Sequence, residues 1–434
     1  MDEGRNVNAV APVNGASPPG AVAGTPAASR RLVGVDAARG IALIGLMVIH
    51  ILPSWNPETG DASLAWILFS GNSAALFALL AGVGLGLGTG GVSVHRGRRM
   101  TADRVGLLVR AMLIGLVGLT VSSVMPAEDP PAAGILVYYA AFFLLAVPFL
   151  HLGARALFLW AAGFALFSQP LMQLLWNRLP GTTSYNPTFH ELATEPLGIL
   201  SHLLVTGVYP ALPYMAYVLA GLAVGRLDLR SKTVQRTLLV VGALLAAGAK
   251  AVSHLLLYGA GGYDRLLLSV GMDEELLWRW LVWGPEFRPE GTAWWLVITT
   301  RHTNTPFAIA FALGVGLATL GACLLIARRI PGPLGPLATM GAMTFTLYTA
   351  HLLALAAEVH YDEPFLWFLI HLVVAATFAL AWCRVFGQGP LERCVSVSVR
   401  TTRRLVAGPS TSAVGTRTVD APPDRRTSTG EPGI

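Results

Sequence analysis

Three ionisable residues lie in an apolar stretch near the start of the chain. The segment RLVGVDAARGIALIGLMVIHILPSW, residues 31–55, carries Asp36, Arg39 and His50. Asp36 and Arg39 are three positions apart, so on a helix they share one face and can form an ion pair. Ionisable groups are costly at membrane depth, and by default they indicate a functional site.

A second arginine indicates what chemistry Arg39 could perform. Arg110 lies a few residues inside its own helix, in RVGLLVRAMLIG, and the sequence places no acidic residue beside it. Two arginines facing one pocket, with Asp36 beside them, could hold the phosphates of a cytosolic donor. The alternative is a structural ion pair at a helix start, where Asp36 also suits the positive end of the helix dipole. Both interpretations stay open at this point.

Histidines supply candidates for a general base at the far end of the first helix. His351, in FTLYTAHLLALA, is predicted to lie at the same depth as His50, because both helices run in the same direction. If the two helices are neighbours, one imidazole can act as the base while the other orients or polarises it. His302, in RHTNTPF, is a third candidate. A hydrogen-bonded packing role is the alternative for each.

No spacing of ligand residues favours a metal site. The sequence has neither an H-x₃-H nor an HExxH arrangement, and its three cysteines form no CxxC pair. We therefore expect no metal and no disulfide framework. The absence of a GxSxG motif and of a Ser/His/Asp order argues against the familiar hydrolases.

The glycine-rich run AGVGLGLGTGG, residues 81–91, is similar to a nucleotide fingerprint only superficially. It lies inside an apolar segment with no preceding strand and no P-loop lysine. Gly82, Gly86 and Gly90 repeat every four positions, a spacing that lets two membrane helices approach closely. The run therefore predicts helix packing.

The elements that must position these residues are membrane helices. Of the 434 residues, 54% are hydrophobic and 12% are charged, and long apolar runs of this kind predict an all-α polytopic membrane protein. About ten segments approach the roughly 20 residues that a bilayer core requires. They are 33–52, 65–89, 105–124, 134–152, 156–176, 207–226, 237–258, 304–327, 335–356 and 365–386.

The distribution of arginine predicts the orientation. The net charge of +6 is spread over short loops and the C-terminal tail, which is typical of membrane topology and not of nucleic-acid binding. The basic loops are 95–104, 225–236, 328–329 and 400–404. With ten helices they all fall on one side, so we expect both termini in the cytoplasm and a multi-pass protein among the lipids of the plasma membrane.

Composition divides the chain into three parts. Residues 1–29 and 394–434 have no apolar face and are predicted to be disordered, the latter as a cytoplasmic tail, while 30–393 form the transmembrane domain. Two long loops, about 177–206 and 259–303, fall on the outer side. The first should contain a half-helix from Glu195, and the second should lie on the membrane interface. Either a lid over a site or plain packing would explain them.

Several blocks resemble a known family. The stretch RLVGVDAARGIALIGLMVIH resembles the opening signature of the transmembrane acyltransferase superfamily that contains heparan-α-glucosaminide N-acetyltransferase and the bacterial YeiB-like proteins. Its elements here are Arg31, Asp36, Arg39, Gly40 and His50. Similar blocks are GNSAALFALLAGVGLGL (71–87), YPALPYMAYVLAGLAVGRLDL (209–229), PLATMGAMTFTLYTAHLL (336–353) and GQGPLER (387–393).

The resemblance implies a membrane enzyme that takes an acyl group, foremost acetyl, from cytosolic acyl-CoA to a sugar or glycolipid on the other face. The acetyltransferase branch has its candidate histidine just after the first helix, whereas residues 51–64 here contain none. His50 therefore does not align with the family histidine. Its separation from Arg39 is about 16 Å by the helical rise, a span that an extended pantetheine arm can cover without a metal.

Two other functions remain open from the sequence. A transporter or flippase could use the same intramembrane charges as a substrate path, although the chain has no convincing two-half symmetry. A membrane scaffold would leave the intramembrane arginines unexplained. The oligomeric state, a homo-oligomer included, is not determined by the sequence.

Overall fold

The computed structural model describes residues 32–182, 184–269, 272–284, 292–359 and 362–407. The helices are α1 (Val33–Ile51), α2 (Leu64–Phe69), α3 (Asn72–Gly88), α4 (Gly97–Val124), α5 (Leu136–Ala146), α6 (Ala154–Leu175), α7 (Phe189–Thr194), α8 (Pro196–Ser201), α9 (Ala211–Val224), α10 (Lys232–His254), α11 (Gly262–Leu267), α12 (Glu274–Trp283), α13 (Pro306–Arg329), α14 (Gly335–Gly341), α15 (Thr344–Leu355), α16 (Pro364–Phe386) and α17 (Pro390–Ala407). No strand is assigned in these ranges, so the predicted all-α class is confirmed. The predicted disorder of 1–29, and Arg31, lie outside the described residues.

The membrane-spanning character of the helices is confirmed, whereas their number stays a prediction. Within the described ranges, seven helices are long and apolar enough to cross a membrane, and an eighth span results if the pair Pro196–Thr206 and Ala211–Val224, bent by 56°, counts as one. Two shorter apolar helices, Leu136–Phe149 and Thr344–Leu355, occupy two further predicted positions. All ten predicted segments therefore coincide with helical structure. The half-helix expected from Glu195 is the first arm of the bent pair.

Helix α1 packs against several other helices. It contacts α3, α13, α14, α15 and α16, and most of its residues are buried. Small residues allow this crowding. A side chain at Gly34 would collide with the backbone of Leu324 in α13, and one at Gly40 would collide with Leu337 in α14.

Glycines also hold α3 against α9. A Cβ atom at Gly82 or Gly86 would meet the backbone of α9, and one at Gly221 would meet the backbone of α3. The predicted packing role of the glycine run is thus confirmed for its first two members. Gly90 differs, because α3 ends at Gly88 and Gly90 turns the chain with a φ of 110° that favours glycine.

The C-terminal helix α17 corrects the prediction that residues after 393 have no apolar face. Val395 and Val399 are four positions apart, so they lie on one side of α17. Val395 is buried, and the Val399 side chain lies against Gly106 of α4. Serines, threonines and arginines dominate the composition of this segment, so its composition did not indicate an apolar face. Residues 408–434 lie outside the described residues.

Two polar contacts fix the ends of α17. Near its start, the Glu392 carboxylate accepts hydrogen bonds from the backbone N–H groups of Phe345 (2.7 Å) and Thr346 (3.1 Å), at the first turn of α15. Near its end, Arg403 forms a 3.1 Å ion pair with Asp103 of α4. Asp103 also lies 2.6 Å from Nδ1 of His95. Helix α17 therefore links α15 to α4.

Arg226 has a structural role that its position in a basic loop did not indicate. Its side chain is 5% exposed, and its guanidinium donates to the carbonyl oxygens of Gly86 (2.8 Å) and Leu150 (2.6 Å). It thus satisfies carbonyl groups at the end of α3 and before α6.

The long loop before α13 has a core of its own. The described residues Leu266, Leu277, Trp295 and Ile298 of this segment pack together and against Leu257, which precedes it. This arrangement favours packing as the role of the loop, and its role as a lid stays a prediction.

Replacing Gly82 with alanine should destabilise the fold, because the added methyl group forces α3 away from α9. We expect a loss of about 1–3 kcal/mol, measured as a lower unfolding temperature in detergent. Gly88→Ala is the matched control on the same helix, since no atom lies within 4 Å of a Cβ there. Equal unfolding temperatures for the two variants would contradict the packing interpretation.

Candidate active site

The predicted pair of Asp36 and Arg39 is present. Nη1 of Arg39 lies 3.1 Å from Oδ1 of Asp36, and the Asp36 residue is 8% exposed. The other amino group of Arg39, Nη2, faces α3. It lies 2.9 Å from the position that a Cβ atom would occupy at Gly84. Because Gly84 lacks a side chain, the Arg39 guanidinium packs directly against α3 at this position.

A cavity of about 180 Å³ is lined in part by the same Gly84. We call it the arginine cavity. Its walls come from α3, α4 and α17 and include Gly84, Asp103, Arg110, Arg400 and Arg403. Arg39 therefore adjoins the cavity through Gly84, and α17 brings two arginines that the sequence had assigned to a tail. The structure brings the predicted residues Arg39 and Arg110 to one place.

Arg110 has no counter-ion in the cavity. Its guanidinium carbon lies 5.8 Å from the centre of the Phe143 ring, and none of the ion pairs between described residues includes it. It experiences repulsion from Arg39 and Arg403 and a weaker attraction to Glu392. The Arg110 residue is exposed along the cavity. An unpaired cation within a membrane span is costly, so an anion entering the cavity would stabilise it.

Three histidines form a chain near the other end of α1. Nδ1 of His50 lies 3.2 Å from Nε2 of His351, and Nδ1 of His351 lies 2.9 Å from Nδ1 of His371. We call these three residues the histidine chain. His351 is 3% exposed. The structure therefore brings together His50 and His351, whose meeting the sequence alone does not show.

His371 is the member of the chain that the sequence analysis missed. It lies in α16, within the apolar sequence PFLWFLIHLVVAA. The signal that singled out His50, an ionisable side chain at membrane depth, applies equally to His371. Which residues of α15 and α16 face each other is decided by packing, and a single sequence does not reveal it.

The geometry of the chain suits proton transfer. His351 uses its two ring nitrogens for different neighbours, so the three rings do not converge on one point. In the part of the chain that the structure describes, no group of three or more His, Cys, Asp or Glu side chains is placed to hold a metal ion. The arrangement can instead pass or orient a proton.

Two tyrosines adjoin α1, one near the histidine chain and one near Arg39. The Tyr348 ring centre is 6.3 Å from those of His50 and His351. Tyr139 is within electrostatic range of both Tyr348 and Arg39, and its hydroxyl has no hydrogen-bond partner among the described residues. A line of polar groups thus accompanies α1 from one end to the other.

His302 lies apart from the histidine chain. Its Nε2 is 3.4 Å from Oγ of Ser70, and its ring faces Tyr209 at 6.0 Å. Desolvation by the surrounding protein and the neighbouring charge of Arg301 lower the pKa of His302 from 6.5 to about 4, although part of the residue is exposed. The imidazole therefore stays neutral near pH 7, and a base with so low a pKa removes protons poorly.

The fold and the site together define a multi-pass helical membrane protein with a basic cavity and a buried histidine chain on one central helix. A family model described as "Heparan-alpha-glucosaminide N-acetyltransferase, catalytic" matches residues 31–258. This match covers more than half of the 434 residues, and the chain belongs to that family. A comparison with curated proteins finds no match.

The match includes only part of the site. Asp36, Arg39, His50 and Arg110 lie inside residues 31–258, whereas His351, His371 and α17 lie beyond them. The contribution of His351, His371 and α17 to the site therefore rests on this structure and not on the family match.

Acidification should destabilise the wild-type protein partly through His302. Because its pKa is lower in the folded state, its contribution to stability is complete above pH 6.5 and is lost as the pH falls towards 4. Between about pH 7 and about pH 4.5 the unfolding temperature should therefore fall less in His302→Gln than in the wild type.

The matched control is His254→Gln, on α10, where the ring is exposed and contacts Tyr258. This variant should lose as much stability as the wild type over the same pH range. Identical pH dependence in all three proteins would contradict the lowered pKa of His302.

Proposed function

We propose that this protein is a membrane acyltransferase that moves an acyl group, foremost acetyl, from cytosolic acyl-CoA to an extracytoplasmic sugar or glycolipid. Membership of the acetyltransferase family supports the reaction class. The observation that carries the proposal is Arg110, an arginine within a candidate membrane span that has no acidic partner among the described residues and borders a cavity.

The donor's phosphates bind in the arginine cavity. Its volume of about 180 Å³ is below the roughly 300–1,000 Å³ of pockets that enclose a whole ligand, so it takes a charged part of the donor. Arg110, Arg400 and Arg403 offer guanidinium groups to it, and Arg39 adds positive charge from its position against Gly84. The pantetheine arm then runs along α1 towards the histidine chain.

The histidine chain supplies the base. His50 takes a proton from the hydroxyl or amine of the acceptor as the acceptor's oxygen or nitrogen bonds to the acyl carbon. The carbon–sulfur bond breaks, and the proton passes from His50 to the CoA thiolate. Arg39 and His50 are about 16 Å apart along α1, a distance that the extended pantetheine arm covers.

The orientation follows from the same assignment. The basic segments 95–104, 225–236, 328–329 and 400–404 lie on the cytoplasmic face with the arginine cavity. Both termini are then cytoplasmic, and the histidine chain lies nearer the outer face of the plasma membrane, where the acceptor arrives.

Transfer of label tests the reaction. Purified protein in vesicles is mixed with radiolabelled acetyl-CoA and cell-envelope acceptors. We expect label transfer by the wild type and a loss of about 100-fold or more in His50→Ala and in His351→Ala, the usual contribution of a general base. Undiminished transfer by both variants would refute the assignment of the base.

Donor binding is tested separately with CoA. Arg110→Ala should weaken CoA binding by about 10- to 100-fold, because a charge-assisted hydrogen bond contributes about 1.5–3 kcal/mol. Thermal stabilisation by CoA measures this change. Arg236→Ala removes an exposed arginine of α10 and should leave the stabilisation unchanged. Equal stabilisation in Arg110→Ala and the wild type would refute the donor site.

A transporter is the second candidate function, and the bent helix pair supports it. Broken helices are common where transporters bind substrate, and this pair bends by 56° between Thr206 and Ala211. A wild-type protein that shows neither stabilisation at saturating CoA nor label transfer would favour transport over acyl transfer.

A further inference from the structure

The two contacts of the histidine chain restrict where protons can lie. A hydrogen bond between two imidazole nitrogens holds one proton, so one nitrogen donates and the other accepts. Three neutral rings carry three protons. Two of these occupy the contacts His50–His351 and His351–His371. The third must lie on the remaining nitrogen of a terminal ring, Nε2 of His50 or Nε2 of His371.

The neutral chain therefore has two directions. In the first, His50 donates from Nδ1 to Nε2 of His351, and His351 donates from Nδ1 to Nδ1 of His371. This direction leaves Nε2 of His50 unprotonated, as a base requires. In the second direction all donors and acceptors are exchanged, and Nε2 of His50 carries a proton.

An unprotonated Nδ1 of His371 selects the first of these directions. For His351 to accept at Nε2 while neutral, its own proton must lie on Nδ1, 2.9 Å from Nδ1 of His371. A hydrogen-bond acceptor at that position stabilises the tautomer of His351 that is protonated at Nδ1. This tautomer in turn stabilises the tautomer of His50 whose Nε2 is unprotonated. Orientation of a catalytic base by a third hydrogen-bonded group follows the same logic as in catalytic triads.

The packing of the three helices allows this role. His50 comes from α1 in the centre of the bundle, His351 is buried on α15, and His371 comes from α16, whose buried residues are Ala375 and Ala379. The chain therefore runs from the centre of the protein to a peripheral helix. A peripheral helix can supply the hydrogen-bond acceptor for His351 without occupying the space that the substrates need.

We infer that His371 is a positioning residue, and that its Nδ1 fixes the tautomers of His351 and His50 so that Nε2 of His50 is the base. This inference rests on the proposed function for its kinetic consequence. The proton moves in a balanced cycle: Nε2 of His50 takes it from the acceptor and returns it to the CoA sulfur. His351 and His371 gain and lose no net proton.

The first test does not depend on activity. The full-length protein, labelled with ¹⁵N-histidine, reports whether each ring nitrogen carries a proton, and His50→Gln assigns the His50 signals. The wild type should show Nδ1 of His50 protonated and Nε2 unprotonated. His371→Phe should give a mixture of both tautomers. An unchanged His50 tautomer in His371→Phe would overturn the inference, whether or not the protein transfers acyl groups.

The second test uses a rescue variant. His371→Asn places an oxygen acceptor where Nδ1 of the imidazole lies, so it should retain the wild-type tautomer of His50. His371→Phe should reduce kcat for label transfer by about 10- to 100-fold, with an unchanged KM for acetyl-CoA, and His371→Asn should restore most of the loss. His254→Phe, on the exposed face of α10, is the control and should change neither quantity.

The outcomes separate the two proposals. Altered His50 tautomers without label transfer in any protein would refute acyl transfer and support the positioning role. Label transfer that is equal in His371→Phe and the wild type, with unaltered tautomers, would refute the positioning role alone. Equal losses of kcat in His371→Phe and His371→Asn would also count against it, because a merely structural residue would behave in that way.

Discussion

Ionisable side chains inside an apolar bundle must be held by other polar groups, and the rest of this structure depends on how that requirement is met on α1. Asp36 pairs with Arg39 within the helix, and His50 bonds to His351 from α15. Because an unpaired charge or polar group is costly in the interior, these contacts restrict which helices can be neighbours of α1. Glycines at the contacts with α13 and α14 then let those neighbours approach.

Helix α17 contacts both the helix that carries His351 and the wall of the arginine cavity. Its Glu392 holds the start of α15, the helix that carries His351. Its Arg403 is held by Asp103 beside the arginine cavity. A displacement of α17 would therefore affect the cavity wall and the support of α15 together, since both depend on the same short helix.

Much of the fold was predictable from the sequence because hydrophobic length reports membrane helices directly. All ten predicted segments coincide with helical structure, and the contact between Asp36 and Arg39 follows from helical spacing alone. The prediction failed for α17, where two valines four positions apart lie among polar residues and leave the composition unremarkable. The sequence also contained no indication of the structural role of Arg226, since a loop arginine that points inward cannot be told from one that points outward.

The sequence by itself determined the membrane class, the family signature and the presence of arginines and histidines at membrane depth, since each is a local property of the chain. Only the tertiary structure decided which of them meet. It joined His50, His351 and His371 from three helices, separated His302 from them, and added Arg400 and Arg403 to the cavity of Arg110. These relations depend on the packing of helices distant in the chain, and local spacing in one sequence does not encode which faces will touch.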